Sequence, residues 1–121
     1  MFRKDKNEII EYGDIVCIRE DGLVHKVQLV SDLLSIIGIC SDSIGFELAG
    51  DMKDVSKEEQ VEVEMVGKIW VKTNNPYLTP GQIVKALPNG TVDFTNNKEE
   101  KFGVVMSTVN EEGKVRIVFN G

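Results

Sequence analysis

A chain of 121 residues, 41% hydrophobic and 28% charged, fits one globular domain, and this balance excludes both a disordered tail and a helical membrane bundle. Fourteen Lys and Arg against twenty Asp and Glu leave a formal charge of -6, which repels a phosphate backbone, so no nucleic acid partner is expected. No apolar run approaches the roughly 18 residues of a membrane span, and "MFRKDKNEII" has no apolar segment behind its basic residues, so neither a membrane partner nor a secretory signal is expected.

The first patterned stretch is "GDIVCIREDGLVHKV", residues 13–27. Ile15, Cys17 and Arg19 fall on one side of a strand and Val16 and Ile18 on the other, and Asp21 and Gly22 then separate this run from a second one. Asp-Gly between two such runs predicts a tight hairpin turn, with Gly taking a positive φ and Asp tolerating one. Strands are predicted near 15–19 and 23–29, with the next near 35–40. His25, the sole histidine, has no Cys, Asp or Glu at ligand spacing and is expected as an exposed strand residue, not a metal ligand. Cys17 and Cys40 sit in apolar runs and read as small buried hydrophobes. "SDS" at 41–43 ends the third strand, where Ser and Asp serve turns.

Residues 43–60 form a polar insertion, with a short helix read over 56–60, capped by Ser56 with Glu59 at the box position. The run 61–73 is two strands or one bent strand with Gly67 at a bulge or corner. Glu62 and Glu64 share one face of it, read as solvated. "NNPYLTPG", residues 74–81, is an extended connection set by Pro76 and Pro80. Trp70 and Tyr77 flank it and, with Phe46 and Leu48 on the insertion, are the candidate interface residues, because aromatics concentrate at interface centres. Further strands are predicted near 82–87, 91–94, 102–108 and 113–119, with Asn89 and Gly90 as a second hairpin turn.

The chain repeats itself. Residues 13–24 match 81–92 at an offset of 68, 36–42 match 101–107 at 65, and "GKIWVKT" at 67–73 echoes "GKVRIVF" at 113–119. The expected fold is an all-β, single-domain barrel or sandwich of two pseudo-repeated four-strand units, about 13–73 and 81–119, with the insertion at 43–60. No catalytic, cofactor-binding or metal-binding residues are assigned, and no cofactor is expected.

On "MFRKDKNE", "GDIVCIREDGLVHKV", "IIGICSDS", "VEMVGKIWVKT", "LTPGQIV" and "GKVRIVF", the chain resembles the C-terminal peptidase G2, or intramolecular chaperone, domain of bacteriophage tailspikes and neck appendages. That resemblance implies a β-rich homotrimeric module of a tail fibre, located in the virion after synthesis in the bacterial cytoplasm, which helps an upstream shaft to fold and in some members releases itself by self-cleavage. With the chain starting at Met1, no shaft to release is expected, and no catalytic residue is carried over. The duplicated Gly-Asp and turn pattern is also similar to small phage capsid decoration proteins, which implies a head-binding role instead. Either way the implied partners are further copies of the chain and other virion proteins.

Overall fold

Alternating apolar and polar residues fold into ten strands and two 3₁₀ turns within residues 2–42 and 58–120, the part of the chain that the structure, a computed structural model, describes. The strands are β1 (Phe2–Asp5), β2 (Ile15–Ile18), β3 (Val24–Lys26), β4 (Ile36–Asp42), β5 (Glu58–Glu64), β6 (Val66–Lys72), β7 (Ile83–Ala86), β8 (Val92–Phe94), β9 (Gly103–Val105) and β10 (Lys114–Asn120). The 3₁₀ turns are Val30–Leu34 and Lys98–Glu100. The expected helix over 56–60 is corrected: Glu58, Glu59 and Gln60 pair in register with Asp5, Lys4 and Arg3 as the start of β5. Cross-strand pairing satisfies that backbone, and the insertion shortens to 43–57. Phe46, Leu48 and Ser56 lie outside the described residues. The run 61–73 does divide into two strands, and the division falls at Met65, two residues before Gly67.

The strands form two antiparallel five-stranded sheets, in the orders β1-β5-β4-β2-β3 and β6-β10-β9-β7-β8. These are one topology written twice. The repeated unit therefore has five strands, not four, because β1 supplies a strand that the sequence reading omitted, and the units run from β1 to β5 and from β6 to β10. The third sequence echo is also reassigned. Residues 67–73 and 113–119 are not equivalent strands but direct neighbours, with Ile69 opposite Ile117 and Val71 opposite Val115. Two neighbours that bury the same face carry the same alternation, and this is the likeness that the sequence displays.

Backbone hydrogen bonds fix the equivalence of the halves. Gly13 N donates to Cys40 O and Cys40 N to Asp14 O; in the second unit Gly81 N donates to Val105 O and Val105 N to Gln82 O. The hairpin turns are equivalent too. Gly22 N donates to Arg19 O, Gly90 N to Leu87 O and Gly113 N to Asn110 O, and each glycine holds a φ of 75 to 82°. No described residue other than glycine has a positive φ. The turns are thus three-residue loops, a type I turn closed by one left-handed Gly, and Asp21 and Asn89 do not take the positive φ expected of a two-residue turn. Their side chains instead accept from the backbone N–H two residues on, Leu23 and Thr91. Pro88 takes the turn position that its fixed φ suits.

The two units stack front to back. In unit 1 the inner sheet face carries Val16, Val24 and Cys40, which cluster with Ile10 and, at its edge, Phe2, Ile18 and Val63. Their counterparts in unit 2, Val84, Val92, Val105 and Leu78, belong to the larger core, together with Val71, Val115, Ile117 and Phe119. That core also contains Ile15, Cys17, Val27 and Ile39, the residues on the other face of sheet 1. The outer face of sheet 1 therefore lies on the inner face of sheet 2, as a sandwich. Around β2, sheet 1 is buried on both faces, which is why "IVCI" shows no polar alternation. Among the described residues no pairing closes either sheet into a barrel.

Candidate functional site

In the loop between β3 and β4 the chain makes the 3₁₀ turn Val30–Leu34 instead of continuing as a strand. Asp32 sets it. Its carboxylate is buried, accepts from the N–H groups of Gln28 and Leu29, and meets the Arg19 guanidinium through two contacts, Nε to Oδ1 at 3.1 Å and an NH2 nitrogen to Oδ2 at 2.9 Å. Arg19 first, then those N–H groups, hold the Asp32 carboxyl far below the usual carboxylate range against the opposing effect of burial. With its polar groups satisfied inward, the turn presents apolar side chains outward: Leu34 is 93% exposed, Val30 72% and Leu29 55%. Beside this ridge lies a cleft of about 390 Å³ at the seam of the units, lined by Leu33, Leu34 and Ile36 from unit 1 and Phe102, Val104 and Val118 from unit 2. Phe102 stacks on buried Phe119 at 5.7 Å in its floor.

The cleft opens onto the outer face of sheet 2. Lys68 and Trp70 of β6, Arg116 and Val118 of β10, Val104 of β9, and Ile83 and Lys85 of β7 alternate with the buried core residues and point away from sheet 1. The register makes them neighbours: Trp70 lies opposite Arg116, Lys68 opposite Val118, Val118 opposite Val104 and Val104 opposite Ile83. Lys72 and Lys114, at the end of this face, are paired, with Asp14 and Glu112. Lys68 and Arg116 are exposed and form no ion pair among the described residues. The result is a half-apolar, cationic surface on an acidic chain.

Two polar clusters brace unit 1. His25 is buried, not exposed as its sequence context implied, because the turn at Asp21 and the segment after β1 fold over it. Its Nδ1 lies 2.7 Å from Glu8 Oε1 and its Nε2 2.7 Å from Asp21 Oδ2, while Glu8 Oε2 also accepts from Lys26 N. Burial, the largest single influence, pushes the imidazole pKa down, but the carboxylates of Glu8 and Asp21 together outweigh it and raise it. In the second cluster Asp14 Oδ2 accepts from Glu11 N, and Oδ1, lacking an aligned donor, is held by charge, with Lys72 Nζ at 2.7 Å and Lys26 Nζ at 3.7 Å. Gln82 makes the equivalent turn bond in unit 2, accepting from Thr79 N. Both clusters are thus neutralised by partners within the chain. Among the described residues no three His, Cys, Asp or Glu side chains converge on a metal position.

Of the predicted interface residues, Trp70 is half-buried on the outer face and Tyr77 is 83% exposed at a separate small cleft, lined by Asn75, Pro76, Leu87 and Asp93, that Trp70 does not reach. The turn residues Asp21, Gly22, Asn89 and Gly90 act in the scaffold, and Asp21 additionally clamps His25. Cys17 and Cys40 are buried free thiols in different core clusters, and burial pushes the Cys17 thiol up to about 11. Sequence reading missed the ridge, although "LVSDLLSII" carried its signal in apolar residues three and four apart around an Asp. No helix among the described residues is long and apolar enough to cross a membrane. Comparison with known proteins finds no matching family model, curated protein or solved structure.

Proposed function

We propose that this chain is a structural protein of a phage or prophage virion that acts by self-association, as a trimerisation or chaperone-like module of a tail fibre or appendage. The observation that carries the self-association is the ridge of Leu29, Val30 and Leu34 beside an apolar cleft. An apolar side chain held 93% in water by a buried, ion-paired Asp is fixed there by the fold and not by chance disorder. Contiguous exposed apolar surface of this kind marks an association site. The virion context rests on the resemblance of the sequence. A second reading, a capsid decoration protein, draws support from the duplication, which extends over five strands in each unit and matches the repeated pattern on which that likeness rests.

Mass spectrometry of purified particles from the encoding host tests the virion claim. The chain in stoichiometric copies on the tail or the head supports one reading or the other. Its absence from particles while it is abundant in the lysate removes both.

A further inference from the structure

The doubled topology shows a face that is covered in one unit and bare in the other. In unit 1 the outer face, with Ile15, Cys17 and Ile39, is sealed by unit 2. The same positions in unit 2 are Ile83, Lys85 and Val104, and they face away from the molecule. Front-to-back stacking is a heterologous contact, and such contacts always leave one face of the last unit open for the next. The open face has changed accordingly. It keeps Ile83, Val104 and Val118 on its inner strands, carries Lys85, paired with Glu100, in place of Cys17, and bears Trp70, Lys68 and Arg116 on β6 and β10, the two cations forming no ion pair among the described residues. The charge of the whole chain is split in the same sense. Residues 1–65 contain seven Lys or Arg and fifteen Asp or Glu, a net of -8, and residues 66–121 contain seven and five, a net of +2.

From these observations we infer that the outer face of sheet 2 is a docking surface for a second copy of this chain, which presents its acidic first unit. This rests on the self-association proposed above and assigns it a face and a polarity. Valine, isoleucine and the tryptophan supply apolar contact, while Lys68 and Arg116 select the acidic half of the neighbour over its near-neutral half. The contact is head-to-tail, so it closes into a ring or extends in one direction. The ridge at Leu34 borders this face and extends the same contact surface.

Trp70 is the only tryptophan and sits inside the proposed contact, so its fluorescence reports on that face alone. The test compares acrylamide quenching of Trp70 across protein concentration with the molar mass from light scattering, for wild type and for the double variant Lys68→Glu with Arg116→Glu. Both residues are exposed and form no ion pair among the described residues, so the variant is expected to keep the wild-type melting temperature. The expected result is that Trp70 becomes protected as the mass rises, that added salt reverses both changes, and that the variant associates at least about ten-fold more weakly. An oligomer whose Trp70 quenching ignores concentration, and whose mass the double variant does not alter, overturns this face and leaves self-association standing. A monomer at every concentration overturns both. Protection of Trp70 by a short oligonucleotide, with no protection by further copies of the chain, assigns the face to a polyanion and overturns the inference.

Discussion

His25 makes the stability of unit 1 depend on pH in a direction that can be worked out. A protonated imidazole donates to both Glu8 and Asp21; a neutral one has a single N–H, so one carboxylate must then face a bare ring nitrogen. The folded-state pKa is raised above the unfolded value of about 6.5, so the contribution is complete below that pH and disappears as pH rises through the folded value. The Glu8 bond is well shielded and worth about 1.5–3 kcal/mol, while the Asp21 bond, with its carboxylate 48% exposed and screened by solvent, is the weaker of the two. Deprotonation sacrifices the weaker bond and part of the stronger, about 1–2 kcal/mol in all, which for a domain of this size lowers the melting temperature by about 3–8 °C. Thermal melts of wild type and His25→Gln between about pH 5.5 and 8.5 isolate this contribution, because the carboxyls of Asp21, Asp32 and Glu11 are held low and stay ionised throughout. The wild type should lose stability across the window and the variant should not. Parallel profiles for the two proteins would refute the clamp.

Other perturbations probe the scaffold and the ridge. A Cβ at Gly103 would lie 2.7 Å from Val118 O and 2.9 Å from Ile117 Cδ1, so Gly103→Ala should cost about 1–3 kcal/mol in urea unfolding, and a neutral result would contradict the close β9–β10 approach. Asp14→Asn keeps an acceptor for Glu11 N but removes the charge facing Lys72 and Lys26, and should cost about 1.5–3 kcal/mol; the same substitution at Gln82 in reverse, Gln82→Glu, should be nearly silent. Leu34→Gln should leave stability within about 0.5 kcal/mol but weaken association, and an unfolded variant would show that the ridge is core. Both thiols should resist maleimide in the native protein at neutral pH and react after unfolding, and native labelling of Cys17 would contradict its burial.

Much of the fold was legible because period-two alternation and Asp-Gly or Asn-Gly punctuation are local signals. The hairpins at Gly22 and Gly90 and the division of 61–73 follow from them. What escaped depended on contacts between distant residues. β1 reads as a charged N-terminal stretch until β5 pairs with it, and Glu58, Glu59 and Gln60 read as helix for lack of that same partner. His25 looked solvated because neither its strand nor its turn announces that Glu8, 17 residues earlier, closes over it. Trp70 stood out in the sequence as a candidate interface aromatic, but its setting of Lys68, Arg116, Val104 and Val118 comes from three strands and exists only in the assembled sheet. The exchange of Cys17 for Lys85 between the repeats was visible in sequence, and its meaning, a covered face against an open one, required the stacking of the two units.

Sedimentation velocity of the unmodified chain from about 1 to 100 μM, in low salt and in about 0.5 M salt, tests the central claim of self-association through complementary surfaces most directly. The expected result is a discrete oligomer at low salt that dissociates on dilution and shifts toward monomer at high salt. A single monomeric species at every concentration and both salt levels would contradict it.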